Sequence, residues 1–148
     1  MIVTVETPLP VRVPRAWAAL IDWERQADWM RDADSVRVVS ANREGTGVRL
    51  AVKTRVLNVP MFTEILEVIA WEPPSRLVMA HSSFIRGTGE WALSPDAVGS
   101  RFRWTERLSL PVPVLGELAL RVYRPFMRHL MRTALRGFRE SLTPGATS

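Results

Sequence analysis

The chain has 148 residues, 47% of them hydrophobic and 24% charged, with a net charge of +5 carried almost wholly by arginine, Lys53 being the only lysine. That balance belongs to an ordinary globular protein and excludes the disordered and fibrous classes, while the absence of cysteine excludes disulfides and thiolate metal sites. A chain of this size buries about 68–70% of the surface its unfolded state exposes, enough for a core or for a core and a cavity.

The opening Met1–Glu6 lacks the basic start and apolar run of a signal peptide, and no apolar stretch is long enough to span a bilayer, so a cytoplasmic location is expected. Residues Ile2–Thr7 alternate β-branched and polar side chains as a strand does, and Pro8, Pro10 and Pro14 are expected to stop it. From Pro14 the pattern turns helical: Trp17, Leu20 and Ile21 recur at spacings of three and four, and a second short helix is predicted over Glu24–Met30.

Strands are then predicted over Ser35–Ser40, Gly47–Arg55, Met61–Trp71, Leu77–Ser82, Gly87–Leu93 and Ser100–Leu110. Turn material separates them at Asn42–Gly45, Glu72–Pro74, Phe84–Arg86 and Ser94–Gly99, and connections this short imply an antiparallel meander. The last strand is the clearest: Phe102, Trp104, Glu106 and Leu108 share one face, and Arg101, Arg103, Thr105 and Arg107 the other.

Leu115–Leu142 carries apolar residues at positions 115, 118, 119, 122, 126, 130, 134 and 138, which predicts one long helix with a single stripe lying across the sheet. Arg121, Arg128, Arg132, Arg136 and Arg139 are assigned to its wet side, and Pro125 is expected to kink it. The tail Thr143–Ser148 has linker composition and is expected to be flexible, leaving residues 1–142 as one domain.

Strand, two short helices, meander and long helix is the order of an α+β helix-grip fold, a curved antiparallel β-sheet wrapped around a C-terminal α-helix. The residues that support it are Val13–Trp17 with Leu20, Asp22-Trp23 and Trp29, then Trp71-Glu72-Pro73-Pro74, and Gly87 and Gly89 before Trp91. Gly99–Phe102 and Leu115-Gly116 complete the set. In that order, over almost the whole chain, they resemble the polyketide cyclase/dehydrase and lipid-transport family of the START-like (SRPBCC, Bet v 1-like) superfamily. The resemblance implies binding, transport or sequestration of a small hydrophobic ligand, such as a lipid, sterol or polyketide-like molecule, between sheet and long helix. Polyketide aromatase/cyclase activity is the alternative, and a regulatory or toxin–antitoxin interaction partner a third.

Strand parity points Met79, His81, Trp91, Phe102, Trp104 and Glu106 inward, with Tyr123, Phe126, Met127 and Leu130 facing them from the helix; these ten form the candidate ligand-binding set. Glu106 is the outlier, because a carboxylate on an apolar face needs a partner, for which His81 and Tyr123 are the candidates. Neither His81 nor His129 has a second ligand at metal spacing, and no phosphate loop, nucleophile elbow or dinucleotide fingerprint occurs. No metal or cofactor is expected, and no nucleic acid partner. The arginine row on the helix leaves peripheral contact with an anionic membrane open.

Overall fold

The computed structural model describes residues 1–56 and 59–143. Within them, seven strands form one antiparallel sheet: β1 (Ile2–Leu9), β2 (Ala33–Val38), β3 (Arg49–Val56), β4 (Val59–Glu72), β5 (Arg76–Ser82), β6 (Arg86–Asp96) and β7 (Gly99–Ser109). The strand order is β1-β7-β6-β5-β4-β3-β2, a meander with the first strand returned beside the last. The sheet curls into a half-barrel, giving the helix-grip architecture. Between β1 and β2 come α1 (Val13–Leu20), a 3-10 turn (Trp23–Arg25) and the single-turn α2 (Gln26–Trp29), and α3 (Pro113–Ser141) follows β7.

Several boundaries differ from the sequence-based ones for identifiable reasons. β1 continues through Pro8, which pairs in register with Arg101, because an edge strand can turn the missing N–H away from the ladder. The segment read as one helix over Glu24–Met30 divides into the 3-10 turn and α2. β6 and β7 run on to Asp96 and Gly99, which are paired, so only Ala97 and Val98 connect them. The tail from residue 144 onward lies outside the described residues.

On the concave face of the sheet β1 contributes Val3, Val5, Thr7 and Leu9, alternating with exposed residues, and β7 contributes Phe102, Trp104, Glu106 and Leu108. Trp29 and Phe138 stack at 4.9 Å and Phe138 and Phe102 at 5.6 Å, while Trp91 meets Phe102 and Trp104 edge-on at 6.0 and 6.2 Å. Under α1, Trp71 stands edge-on to Trp17 at 5.1 Å and tilted to Trp23 at 6.3 Å. Aromatic pairs in this range contribute about 0.5–1.5 kcal/mol each beyond burial, so these clusters are the rigid part of the core.

The single apolar stripe expected on α3 is corrected. The buried residues are Gly116, Leu120, Met131, Ala134, Leu135 and Phe138, whereas Leu115, Leu118, Val122 and Phe126 are exposed. A stripe stepping by four residues advances about 40° per step around an α-helix, so between Leu118 and Phe138 it swings about 200°, from the solvent side to the core side. The C-terminal half of α3 seals against the sheet and α2, where Gly137 lies beside Trp29.

The antiparallel register brings the start of β1, the ends of β3, β5 and β7, the starts of β2, β4 and β6, and the entry to α3 to the same end of the sheet. The aromatic core stops short of that end, and the next inward position on β7 after Trp104 is Glu106.

Candidate functional site

Glu106 is 5% exposed, and each of its two carboxylate oxygens has a hydrogen-bond partner. Its Oε1 accepts a hydrogen bond from the Trp104 indole Nε1 at 2.7 Å, and its Oε2 lies 2.9 Å from His81 Nε2. The other imidazole nitrogen, Nδ1, lies 2.9 Å from Glu64 Oε1, which also accepts from Ser83 Oγ at 3.2 Å. Three strands set this row: β4 supplies Glu64, β5 His81 and β7 Glu106. Between β5 and β7, on β6, stands Gly89, in register with both Met79 and Glu106. A Cβ there would come within 2.6 Å of Glu106 Oε1, so the glycine makes the room the carboxylate occupies. Gly87, two positions nearer the open end, has φ +138°, and any side chain would strike the Arg107 carbonyl.

Burial alone would push the His81 imidazole down, but its hydrogen bonds to Glu106 and Glu64, reinforced by their charges, prevail and hold its pKa at about 10. His81 is therefore an imidazolium at neutral pH, donating through both ring nitrogens. Asp32 lies immediately before β2, and desolvation by the surrounding protein is the chief cause that raises its carboxyl above the ordinary range. A backbone hydrogen bond opposes that rise, while the charges of Glu106 and Glu64 add to it. Tyr123 on α3 is raised first by burial and then by the charge of Asp32. Glu64 and Glu106 flank the one imidazole, and their carboxylates have more acceptor lone pairs than these hydrogen bonds use.

Of the ten residues expected at the site, His81 and Glu106 are in direct contact, and the pairing of Glu106 with His81 rather than Tyr123 resolves the partner question. Met79 and Trp104 are buried beside them on the same face; Trp91 and Phe102 belong to the packed aromatic core. From α3, Met127 and Leu130 are half-buried, and Tyr123 and Phe126 are 42% and 47% exposed, their rings 5.5 Å apart.

Sequence reasoning missed Glu64, Ser83 and Asp32. Counting back by twos from the inward Val68 and Leu66 reaches Glu64, but register shifts near both ends of β4, one opposite Thr54/Arg55 of β3 and one at Val68/Ala70, blur its alternation. A surface groove of about 570 Å³, lined by Pro10, Arg12, Val13, Pro14 and Pro95–Gly99, lies at the opposite end of the sheet and holds no part of this cluster.

A family model described as polyketide cyclase / dehydrase and lipid transport matches residues 1–143. Among solved structures, TTHA0849 from Thermus thermophilus superposes with a TM-score of 0.79 at 21% identity, over 96% of this chain and 97% of that one. A START superfamily protein from Mycobacterium smegmatis superposes with a TM-score of 0.75 at 13% identity, over 96% and 99%. The di-domain ARO/CYC StfQ from the steffimycin biosynthetic pathway gives 0.74 at 15% identity, over 96% of this chain and 51% of that one. No curated protein matches the chain.

Proposed function

The chain belongs to the polyketide cyclase / dehydrase and lipid transport family, and from that premise we propose that it binds a small, largely apolar molecule in a hollow between the concave sheet and the N-terminal half of α3. The observation that carries the reading is the divided behaviour of α3. Met131, Ala134, Leu135 and Phe138 are sealed against the core, while Tyr123 and Phe126, further up the helix, keep 42% and 47% of their surface open. Protein interiors fill to crystal-like density, so two aromatic rings left open on a helix that is otherwise sealed further down support the reading that space is kept for a guest. Glu106 and Glu64, held in place by His81 and Trp104, supply acceptors for one hydroxyl or amine on that guest. Met79, Trp104, Tyr123, Phe126, Met127 and Leu130 supply the apolar contact, with Trp91 and Phe102 as the rigid backing.

Binding is favoured over cyclase chemistry by the state of His81. An imidazolium with a pKa of about 10, both N–H groups committed to carboxylates, neither accepts nor releases a proton readily near neutral pH.

Native mass spectrometry of the protein from its own host, followed by extraction and identification of any bound molecule, tests the reading directly. Binding of dodecanol, dodecylamine and dodecanoate then tests the polar anchor: the alcohol and the amine bind and the carboxylate binds most weakly. Absence of any host-derived molecule together with no uptake of any of the three probes overturns the proposal.

A further inference from the structure

α3 carries six arginines against two glutamates, and from Arg121 to Arg139 it holds no acidic residue, so one helix supplies most of the chain's net charge of +5. Its N-terminal half is unusual in a second way. Val114, Leu118 and Val122 are 79%, 55% and 74% exposed, and with Leu115 they form a continuous apolar ridge turned to solvent at spacings of three and four. At 100° per residue, Arg121, Arg124, Arg128 and Arg132 form a parallel row on the flank between this ridge and β1. Arg124 Nε donates to the Ile2 carbonyl at 3.2 Å, fixing the row against the edge strand. Arg128 Nε is buried without a hydrogen-bond partner among the described residues, and Arg124, Pro125, Arg128, His129 and Arg132 line a groove of about 280 Å³.

We infer that the N-terminal half of α3 is a docking element for an anionic lipid surface, its ridge seated at the acyl boundary and its arginine row on the lipid phosphates. An apolar ridge beside a basic row matches the two layers such a surface presents, and guanidinium forks match phosphate oxygens. A nucleic acid would satisfy the arginines but leave the ridge in water. A second copy of the chain, packed ridge to ridge about a two-fold axis, would bring two arginine rows together with only Glu117 to offset them in this half of the helix. The same end of the sheet carries the exposed Val59, Met61 and Phe84, so docking there turns the open end of the fold toward the bilayer. The inference rests on exposure and charge, independently of what the hollow binds.

The test is co-sedimentation of the intact chain with phosphatidylcholine vesicles, with and without phosphatidylglycerol, at low ionic strength. Two double variants at exposed positions are compared, Leu118→Ser with Val122→Ser and Arg121→Gln with Arg132→Gln, each checked for unchanged circular dichroism. The native protein is retained only on the anionic vesicles, and the arginine pair weakens retention by about thirtyfold, from about fivefold per arginine near an anionic surface. The apolar pair weakens it by on the order of tenfold. No retention at low salt, or retention indifferent to the apolar pair, overturns the inference. So does tighter binding of a DNA duplex than of the vesicles, or a dimer in sedimentation velocity that the apolar pair dissolves.

Discussion

Gly89 stands opposite Glu106 in the β6–β7 register, and the Cβ it lacks would lie 2.6 Å from the glutamate's Oε1. The carboxylate is buried there, touching Trp104 and His81, because its neighbour across the ladder has no side chain. The position of one charged group is thus set by an absence on another strand.

Gly89→Ala should therefore displace Glu106 and strain both of its hydrogen bonds. The expected loss is about 1–3 kcal/mol, measured by chemical denaturation, since two buried donors lose good geometry together. A neutral result would mean that the carboxylate relocates without cost and that its partners are dispensable.

Glu106→Gln keeps the shape but removes the charge and can accept from only one of Trp104 and His81 through its single carbonyl oxygen. Stability should fall by about 1–3 kcal/mol. The imidazole pKa of His81 should drop well below its native value of about 10, read by NMR titration in a His129→Gln background, where it is the remaining histidine. An unmoved titration would assign the whole shift to Glu64.

Alkaline stability follows from the same pair. The folded-state pKa of His81 is raised from 6.5 to about 10, so its contribution is complete below pH 6.5 and is lost as the pH rises through about 10. Across that window the folded state holds a proton the unfolded chain has released, and stability should decline by a few kcal/mol at most. With one lysine and one tyrosine in the chain, few other side chains titrate there. The decline should flatten in His81→Gln; an equally steep limb in that variant would refute the assignment.

Phe138 and Phe126 sit on the same helix and should respond oppositely to truncation. Phe138 is buried against Trp29 and Phe102, and Phe138→Ala should cost about 3–5 kcal/mol. Phe126 is 47% exposed, and Phe126→Ala should change stability by only about 0.5 kcal/mol while weakening uptake of dodecanol. Equal losses at both positions would show that α3 is sealed along its full length.

Much of this architecture is written in local pattern. The alternation of Phe102, Trp104, Glu106 and Leu108 against Arg101, Arg103, Thr105 and Arg107 gave the face of β7 correctly, because side-chain direction in a strand has a period of two whatever the strand packs against. That parity also exposed Glu106 as a charge needing a partner and offered His81 among the candidates. Local pattern could not supply Glu64, because register shifts near both ends of β4 interrupt the count. Nor could it orient α3. The apolar residues from 115 to 138 do form a stripe, but a stripe of period four winds about a helix of 3.6 residues per turn, so which arc meets the sheet depends on where the helix is set down. Periodicity along the chain therefore determined the elements and their two-sidedness. Contact between distant strands and one helix decided that α3 buries Leu120, Met131, Leu135 and Phe138 while leaving Leu118, Val122 and Phe126 exposed, and that His81 is clamped between two carboxylates, because those relations exist only between segments the sequence keeps far apart.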